Sequence, residues 1–111
     1  KRGMSLQRFV EITSANAARI MGLYPRKGAI APGSDADIAL IDPSIRKRLT
    51  MDDFHISDYS IWEGWEIEGW PVLTMLRGKV VVEEGNFHGN LSDGQLIPRK
   101  ISGDILARPA C

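Results

Sequence analysis

The sequence predicts a mixed fold that is mainly β, with two short helices near its N-terminal end. Apolar residues recur at helical spacing in the first part of the chain. Further along they gather in short runs bounded by Gly, Pro, Asn and Asp, which is typical of strands. With 111 residues, 43% of them apolar, the chain has the size of one small domain with a modest core.

The two predicted helices come first. Residues 5–12 form one helix, with Ser5 as its N-cap. Thr13 or Ser14 interrupts it and caps a second helix, which ends at Gly22 in the left-handed conformation common after helices. Helices with apolar faces need a surface to pack on, and the rest of the sequence offers no obvious one.

The strands are predicted to follow the helices. Residues 36–41 form a short strand, which Asp42-Pro43 ends because proline cannot donate to a ladder. Three further segments have less distinct patterns. They are a strand at 48–50, an extended loop at 59–69 and a last short strand at 95–99.

The clearest local signal is a hairpin. Residues 71–76 and 80–83 are its strands, joined by a turn at 77–79 in which Gly78 supplies the positive φ that such turns need. Two weaker predictions complete the chain. They are a second turn at 84–86 leading into a short segment from Phe87, and one helical turn at 104–107.

Charge and cysteine content argue against several classes of partner. The formal net charge is zero and no basic block exceeds residues 46–48, so nucleic acid is disfavoured. The apolar runs are too short to span a membrane, and no signal peptide is recognisable. The single Cys111 cannot form an intrachain disulfide, which fits a cytoplasmic protein. Because the chain opens at Lys1 without an initiator Met, we expect a piece of a longer protein.

The histidines and aspartates do not predict a metal or acid–base site. His55 and His88 are far apart and lack the close ligand spacing of zinc or iron sites. Asp35 and Asp37 flank one residue, as paired carboxylates in acid–base catalysis could. A turn and the start of a strand account for them structurally, and we favour that interpretation.

Covalent catalysis and nucleotide binding are not indicated either. Ser14 and Cys111 have no general base near them in sequence, and no Gly-x-Ser-x-Gly pattern is present. Gly28 and Gly33 have the spacing of a phosphate loop but lack the Lys-Ser/Thr that follows it. We therefore predict no catalytic, cofactor-binding or metal-binding residue in this chain.

The tryptophan-rich segment allows two interpretations. Desolvation by an indole ring can raise the pKa of a carboxylate, which would suit a sugar or cation site. Tryptophan is also enriched where large surfaces become buried, which predicts an interface. With no second acid–base group nearby, we favour the interface. The residues are Trp62, Trp65 and Trp70 with Glu63, Glu66 and Glu68.

One stretch resembles a known family. From Lys27 the chain reads Lys-Gly-x-Ile-x-x-Gly-x-Asp-Ala-Asp-Ile, followed by an apolar run that ends at Asp42-Pro43. This resembles the closing segment of the amidohydrolase superfamily. The preceding residues 9–24 look like the last barrel-associated helices of the cyclic amidohydrolases.

Later segments narrow the resemblance to one branch. Residues 58–71 contain Tyr-x-x-aromatic-Glu-Gly-x-Glu and are similar to the dihydropyrimidinase and D-hydantoinase branch. Residues 76–82 and 94–99 agree with the same branch. The resemblance therefore covers the chain from about Ser5 to Arg99.

The resemblance implies a parent enzyme with a (β/α)8 barrel and a β-sandwich built from both chain ends. The parent would hold two divalent metals, expected to be zinc, through His, Asp and a carbamylated Lys. A bridging hydroxide would open a cyclic amide such as dihydrouracil or a hydantoin. None of these ligands matches a position here, so we expect this chain to be structural and inactive. The alternative is a non-catalytic interaction module, including a non-enzymatic relative.

The resemblance also implies a domain organisation. Residues 1–26 would pack on the missing barrel, 27–99 would form a partial β-sandwich, and 100–111 would be a tail, frayed or docked on a partner. Strands at 36–41 and 72–83 would then have an open edge or face. We expect self-association, by strand or helix exchange.

Overall fold

A computed structural model describes residues 3–54 and 58–107. The chain divides into two compact units. The helical unit contains residues up to Ala36 and from Gly94 onward, and the sheet unit is Asp37–Asp93. In these described ranges, no helix is long and apolar enough to cross a membrane. The predicted packing of 1–26 on a barrel and of 100–111 on a partner stays a prediction.

The helical unit begins with a helix that changes its winding midway. α1 spans Leu6–Val10, a π-helical turn follows at Glu11–Ala15, and α2 spans Asn16–Ile20. Ser5 caps α1, since its Oγ accepts a hydrogen bond from the Arg8 N–H at 3.1 Å. The predicted N-cap is confirmed.

The predicted interruption at Thr13 or Ser14 is wrong. Thr13 Oγ1 donates to the Phe9 carbonyl at 2.7 Å, four residues earlier in the helix. Because this hydroxyl is satisfied inside the helix, it does not begin a new cap. A π-helical turn accommodates the local change in winding without a break between α1 and α2.

The end of α2 is closed by a distant segment of the same unit. Gly22 has φ 71°, which confirms the predicted left-handed residue. The Lys100 N–H donates to the Gly22 carbonyl at 3.0 Å. A Cβ at Gly22 would lie 2.6 Å from the Lys100 carbonyl carbon, so a residue with a side chain cannot fit there without displacing backbone.

Residues 95–99 do not form the predicted strand, since the structure assigns them no strand conformation. Pro98 has no N–H for a ladder, and the next backbone donor used, Lys100 N–H, bonds to the end of α2. The helical turn predicted near 104–107 is confirmed as α3, Gly103–Leu106.

The sheet unit is an open antiparallel sheet whose four strands lie in chain order. This confirms a mainly β chain, and the described residues contain no barrel. A second layer that would complete a β-sandwich stays a prediction. The strands are β1 Ile38–Arg48, β2 Glu66–Leu76, β3 Lys79–Glu83 and β4 Asn86–Phe87.

β1 is longer than predicted because it continues past Pro43. Its register against β2 shifts between Asp42 and Arg46, so the intervening residues bulge from the ladder. The Asp42 carboxylate accepts hydrogen bonds from the Ser44 N–H and hydroxyl, at 2.8 and 2.6 Å. An edge strand tolerates proline at a bulge, so the predicted end at Asp42-Pro43 is wrong.

The predicted hairpin is confirmed, with a tighter turn than expected. Leu76 pairs with Lys79, which leaves Arg77 and Gly78 as a two-residue turn with φ 47° and 82°. The Arg77 N–H donates to the Asp37 carboxylate at 2.7 Å. This bond ties the turn to the start of β1.

β2 begins earlier than the sequence indicates. Glu66 already pairs with Arg48, so the last residues of the predicted loop at 59–69 belong to the sheet. The second predicted turn is confirmed: Glu84 and Gly85, with φ 48° and 80°, connect β3 to β4.

Few side chains of either unit are buried. Among the described residues, Ala18 in the helical unit and Leu49 in the sheet unit are the buried apolar ones. Small domains normally bury well over half of the surface that their unfolded chains expose. Both units therefore leave much apolar surface open. Exposed examples include Leu6, Phe9, Ile30, Leu40, Leu91 and Leu96.

Candidate functional site

Residues 59–65 form an exposed turn, here called the aromatic turn. The rings of Trp62 and Trp65 meet edge to face, with centroids 5.1 Å apart and planes at 82°. Trp62 is 49% exposed and Trp65 is 56% exposed. Tyr59 and Ile61, beside them in the chain, are more exposed still. The turn presents an apolar, largely aromatic surface to its surroundings.

Hydrogen bonds hold the aromatic turn against the end of β1. The Leu49 N–H donates to the Trp65 carbonyl at 2.9 Å, and the Gly64 N–H donates to the Leu49 carbonyl at 2.8 Å. Arg48 Nε donates to the Gly64 carbonyl at 3.0 Å. Because Leu49 is also buried, the turn is anchored at the best-packed point of the sheet unit.

Three carboxylates and the Arg48 guanidinium border the aromatic turn. Asp58, Glu63 and Glu66 are exposed, and within the described part of the chain none of the three takes part in an ion pair. Glu68 differs, since it pairs with Arg46 at 3.3 Å across β1 and β2. An apolar centre with a charged border and no paired acid–base group favours the interface interpretation over a sugar or cation site.

The third tryptophan does not join the other two. The Lys47 ammonium lies 4.2 Å from the centroid of the Trp70 ring and also pairs with the Asp53 carboxylate. The hydrogen bond from Lys47, followed by that from the Thr50 N–H, holds the pKa of Asp53 below its usual range. Trp70 is therefore part of a structural cluster on the sheet.

A groove of about 470 Å³ lies at the end of α2 in the helical unit, and is here called the basic groove. Residues 22–26 form one wall and 98–100 the other, joined by the bond from Lys100 to Gly22. No acidic residue is among the described residues that line it. Its apolar lining is Leu23, Tyr24, Pro25 and Pro98, and its cationic lining is Arg26, Arg99 and Lys100.

Asp35 and Asp37, the aspartates that flank one residue, each make contacts that stabilise the local structure. Asp35 pairs with Lys27 at 2.8 Å and with Arg26 at 3.0 Å. Hydrogen bonds from Lys27 and Arg26 hold the pKa of Asp35 below its usual range. Asp37 accepts the Arg77 N–H in the sheet unit. These contacts give both carboxylates a structural role.

The described residues do not fit a metal centre. In residues 3–54 and 58–107, no three His, Cys, Asp or Glu side chains are grouped so that they could hold an ion. His88 is exposed and its N–H donates to the Val81 carbonyl at 2.8 Å. Ser14 is an exposed residue of the π-helical turn. His55 and Cys111 lie outside the described residues.

Comparison with known proteins identifies the family of the chain. The sequence model of the amidohydrolase family matches residues 1–81. The chain belongs to the amidohydrolase family. Over 98 residues it is 44% identical to a D-phenylhydantoinase of Escherichia coli O1:K1 / APEC and 42% identical to a D-hydantoinase of Ralstonia pickettii. These alignments cover 87% of this chain and 21% of each relative, so the chain spans about a fifth of the length of the curated relatives it matches.

Solved structures agree with this branch of the family. A D-hydantoinase structure matches with a TM-score of 0.84 at 41% identity, covering 88% of this chain and 22% of that one. The dihydropyrimidinase from Brevibacillus agri NCHU1002 matches with a TM-score of 0.85 at 37% identity, covering 96% and 22%. The chain is thus a hydantoinase-like amidohydrolase segment, as the resemblance indicated.

Sequence reasoning missed the basic groove. Its walls are far apart in the sequence, and they meet where the Lys100 N–H bonds to Gly22 and the backbone of 100–101 packs on that glycine. The available signal was a proline followed by a basic residue in both walls, at Pro25-Arg26 and Pro98-Arg99. That pattern alone does not indicate that the two segments meet.

Proposed function

We propose that this chain is a structural segment of a cyclic amidohydrolase that resembles hydantoinases and dihydropyrimidinases and hydrolyses cyclic amide C–N bonds. In this proposal the chain is the closing part of a longer parent, provides interaction surfaces and has no catalytic role of its own. The observation that carries it is the match over 87% of this chain to D-phenylhydantoinase, of which the match covers 21%.

The exposed apolar side chains support a role within a larger assembly. Leu91 and Leu96 are fully exposed and Ile30 is 90% exposed. Extensive apolar surface on a small unit is usually covered by another part of the protein or by a partner. We propose that the missing barrel covers part of it and that self-association covers another part. A cytoplasmic location belongs to the same proposal.

Metal dependence is proposed for the parent and not for these residues. Membership of the amidohydrolase family suggests it, and two divalent metals, zinc in our expectation, with a carbamylated lysine would supply a water activated for attack on the amide carbon. The described residues do not fit such a centre. No step of the reaction is therefore assigned to a side chain of this chain.

The intact mass of the native gene product, with a hydrolysis assay, tests the proposal. We expect a mass several-fold above 12.3 kDa and ring opening of dihydrouracil or a hydantoin. A chelator should remove this activity, and added divalent metal should restore it. A native product of 12.3 kDa would contradict the proposal, since its described residues lack a metal centre.

A second candidate is a non-catalytic interaction module, including a non-enzymatic relative of the dihydropyrimidinases. The aromatic turn favours it, because exposed tryptophans on an anchored backbone are typical of protein contacts. The same assay separates the candidates. A full-length, metal-loaded product that opens neither ring would favour the second.

A further inference from the structure

We propose that the Asp93–Gly94 peptide bond is a site of spontaneous isoaspartate formation, and that the contacts of Asp93 suppress this rearrangement in the folded protein. Asp93-Gly94 is the one Asp-Gly pair in the sequence, and the sequence contains no Asn-Gly pair. The contacts involved lie within the sheet unit of this chain. The site is therefore independent of the proposed function and of any partner.

The rearrangement needs no reagent besides water. The Gly94 nitrogen attacks the side-chain carboxyl carbon of Asp93, a C–N bond forms, and the carboxyl hydroxyl leaves as water with the amide proton. The resulting five-membered succinimide ring then takes up water at one of its two carbonyl carbons. Opening at the side-chain carbonyl restores aspartate. Opening at the main-chain carbonyl leaves the main chain running through the former side chain.

Glycine after the aspartate makes this bond the most susceptible in the chain. A Cβ on the following residue crowds the attacking nitrogen, whereas glycine has no Cβ and leaves its backbone free to rotate. Gly94 directly follows the short 3₁₀ helix Leu91–Asp93 and is itself assigned to no helix or strand. The reactivity of the bond therefore depends on how firmly Asp93 is held.

Both carboxylate oxygens of Asp93 are engaged. Lys79 Nζ donates to them at 3.0 and 2.8 Å, and the Asn90 N–H donates to Oδ2 at 2.7 Å. The Asp93 side chain is only 21% exposed. Succinimide formation removes one of these two oxygens as water. At least one of the charge-assisted hydrogen bonds must therefore break before the ring can close.

The main chain of Asp93 is held as well. Its N–H donates to the Asn90 carbonyl at 3.0 Å, which closes the 3₁₀ turn. Its carbonyl accepts a hydrogen bond from the Arg77 guanidinium. Ring closure requires rotation about the bonds of Asp93 until its carboxyl carbon meets the next nitrogen. Hydrogen bonds on both sides of the residue oppose that rotation.

Charge acts in the same direction as these contacts. The neutral acid is the reactive form, because its hydroxyl group can leave as water and a carboxylate oxygen cannot. The hydrogen bond from Lys79, followed by that from the Asn90 N–H, holds the pKa of Asp93 below its usual range, and the nearby Arg77 lowers it further. The reactive form is therefore rarer at neutral pH in the folded protein than in the unfolded chain.

Ageing of the native gene product at neutral pH tests this protection. Peptide mapping with electron-transfer fragmentation distinguishes the two linkages and measures isoaspartate at residue 93. Lys79→Gln removes the ammonium and should raise the rate of isoaspartate formation about threefold or more, as expected for the loss of one partly exposed ion pair. The matched control is Lys47→Gln, which removes the ammonium from Asp53 in the same unit and should leave the rate at residue 93 unchanged.

Two further measurements locate the reaction and keep the test decisive if Lys79→Gln does not fold. Gly94→Ala, added to Lys79→Gln, should slow the reaction, because the new Cβ crowds the attacking nitrogen. The unsubstituted product should form isoaspartate faster when unfolded in urea than when folded. Equal rates in the folded and unfolded product, or a folded Lys79→Gln variant that ages no faster than the unsubstituted product, overturn the proposal. Cyclic-amide hydrolysis is measured separately, so its absence would contradict the proposed function and not this site.

Discussion

The sheet unit and the helical unit are held together by different kinds of contact. The sheet unit is continuous in the sequence, and its strands pair with neighbours in chain order. Two-residue turns join β2 to β3 and β3 to β4, and the longer segment that contains the aromatic turn joins β1 to β2. The helical unit joins residues up to Ala36 with residues from Gly94 onward, and the bond from Lys100 to Gly22 connects the two pieces. The sheet unit is held by ladders of paired residues along three strand pairs, whereas the two pieces of the helical unit meet at the closely packed contact between Gly22 and Lys100. The helical unit should therefore be more sensitive to a single substitution.

The largest expected effect comes from Gly22→Ala in the helical unit. The new Cβ would lie 2.6 Å from the Lys100 carbonyl carbon at a residue with φ 71°. Left-handed strain of about 1–2 kcal/mol and overpacking of about 1–3 kcal/mol together predict a loss of about 2–5 kcal/mol in unfolding free energy. Hydrogen exchange of the α2 amides in the gene product measures this loss.

Gly78→Ala is the matched control in the sheet unit. Its φ of 82° is similarly left-handed, but nothing lies within 4 Å of the added Cβ. Only the strain of about 1–2 kcal/mol should appear, as faster exchange in β2 and β3. Equal losses at the two glycines would show that the closure by Lys100 contributes nothing.

Leu49→Ala should have the next largest effect and act on the sheet unit. Leu49 is 8% exposed, and its backbone bonds carry the aromatic turn. Truncation should cost about 2–3 kcal/mol, at the lower end for buried leucine. Urea unfolding monitored by tryptophan fluorescence measures it. Leu91→Ala, at a fully exposed leucine of the same unit, should be close to neutral.

A smaller effect is expected from Asp53→Asn, and it should depend on pH. Lys47 lowers the pKa of Asp53, so the folded state favours the charged carboxylate. Its contribution is present above the unfolded pKa of about 3.9 and is lost as pH falls through the lower folded pKa. The variant should have a lower unfolding free energy than the unsubstituted protein at pH 7. This difference in unfolding free energy should disappear below about pH 4. Asp52→Asn removes the same charge at the exposed neighbouring residue and should leave the unfolding free energy at pH 7 nearly unchanged.

The sequence predicted the elements that depend on nearby residues. The cap at Ser5, the left-handed Gly22 and the turn at Gly78 each follow from a local conformational preference, and all are confirmed. The predicted breaks at Thr13 and Pro43 were wrong because neighbouring residues accommodate each of them without ending the helix or the strand. Thr13 bonds to the preceding helical turn, and Pro43 sits in a bulge of an edge strand.

Of the two candidate surfaces, the sequence indicated one and not the other. The tryptophan-rich segment was recognisable as an interface candidate, although which tryptophans meet was not. Trp62 and Trp65 are three residues apart on one turn, whereas Trp70 lies in β2 beside Lys47. The basic groove was not recognisable, since nothing local to 98–100 indicates that this segment lies against the end of α2.

By itself the sequence determined the family, the mainly β character and the turns, because family motifs and turn preferences are properties of short segments. The tertiary structure alone decided the continuity of β1, the pairing of Trp62 with Trp65 and the closure of the helical unit at Gly22. These depend on backbone groups that find partners outside their own segment, and a sequence pattern does not specify which distant donor and acceptor will meet.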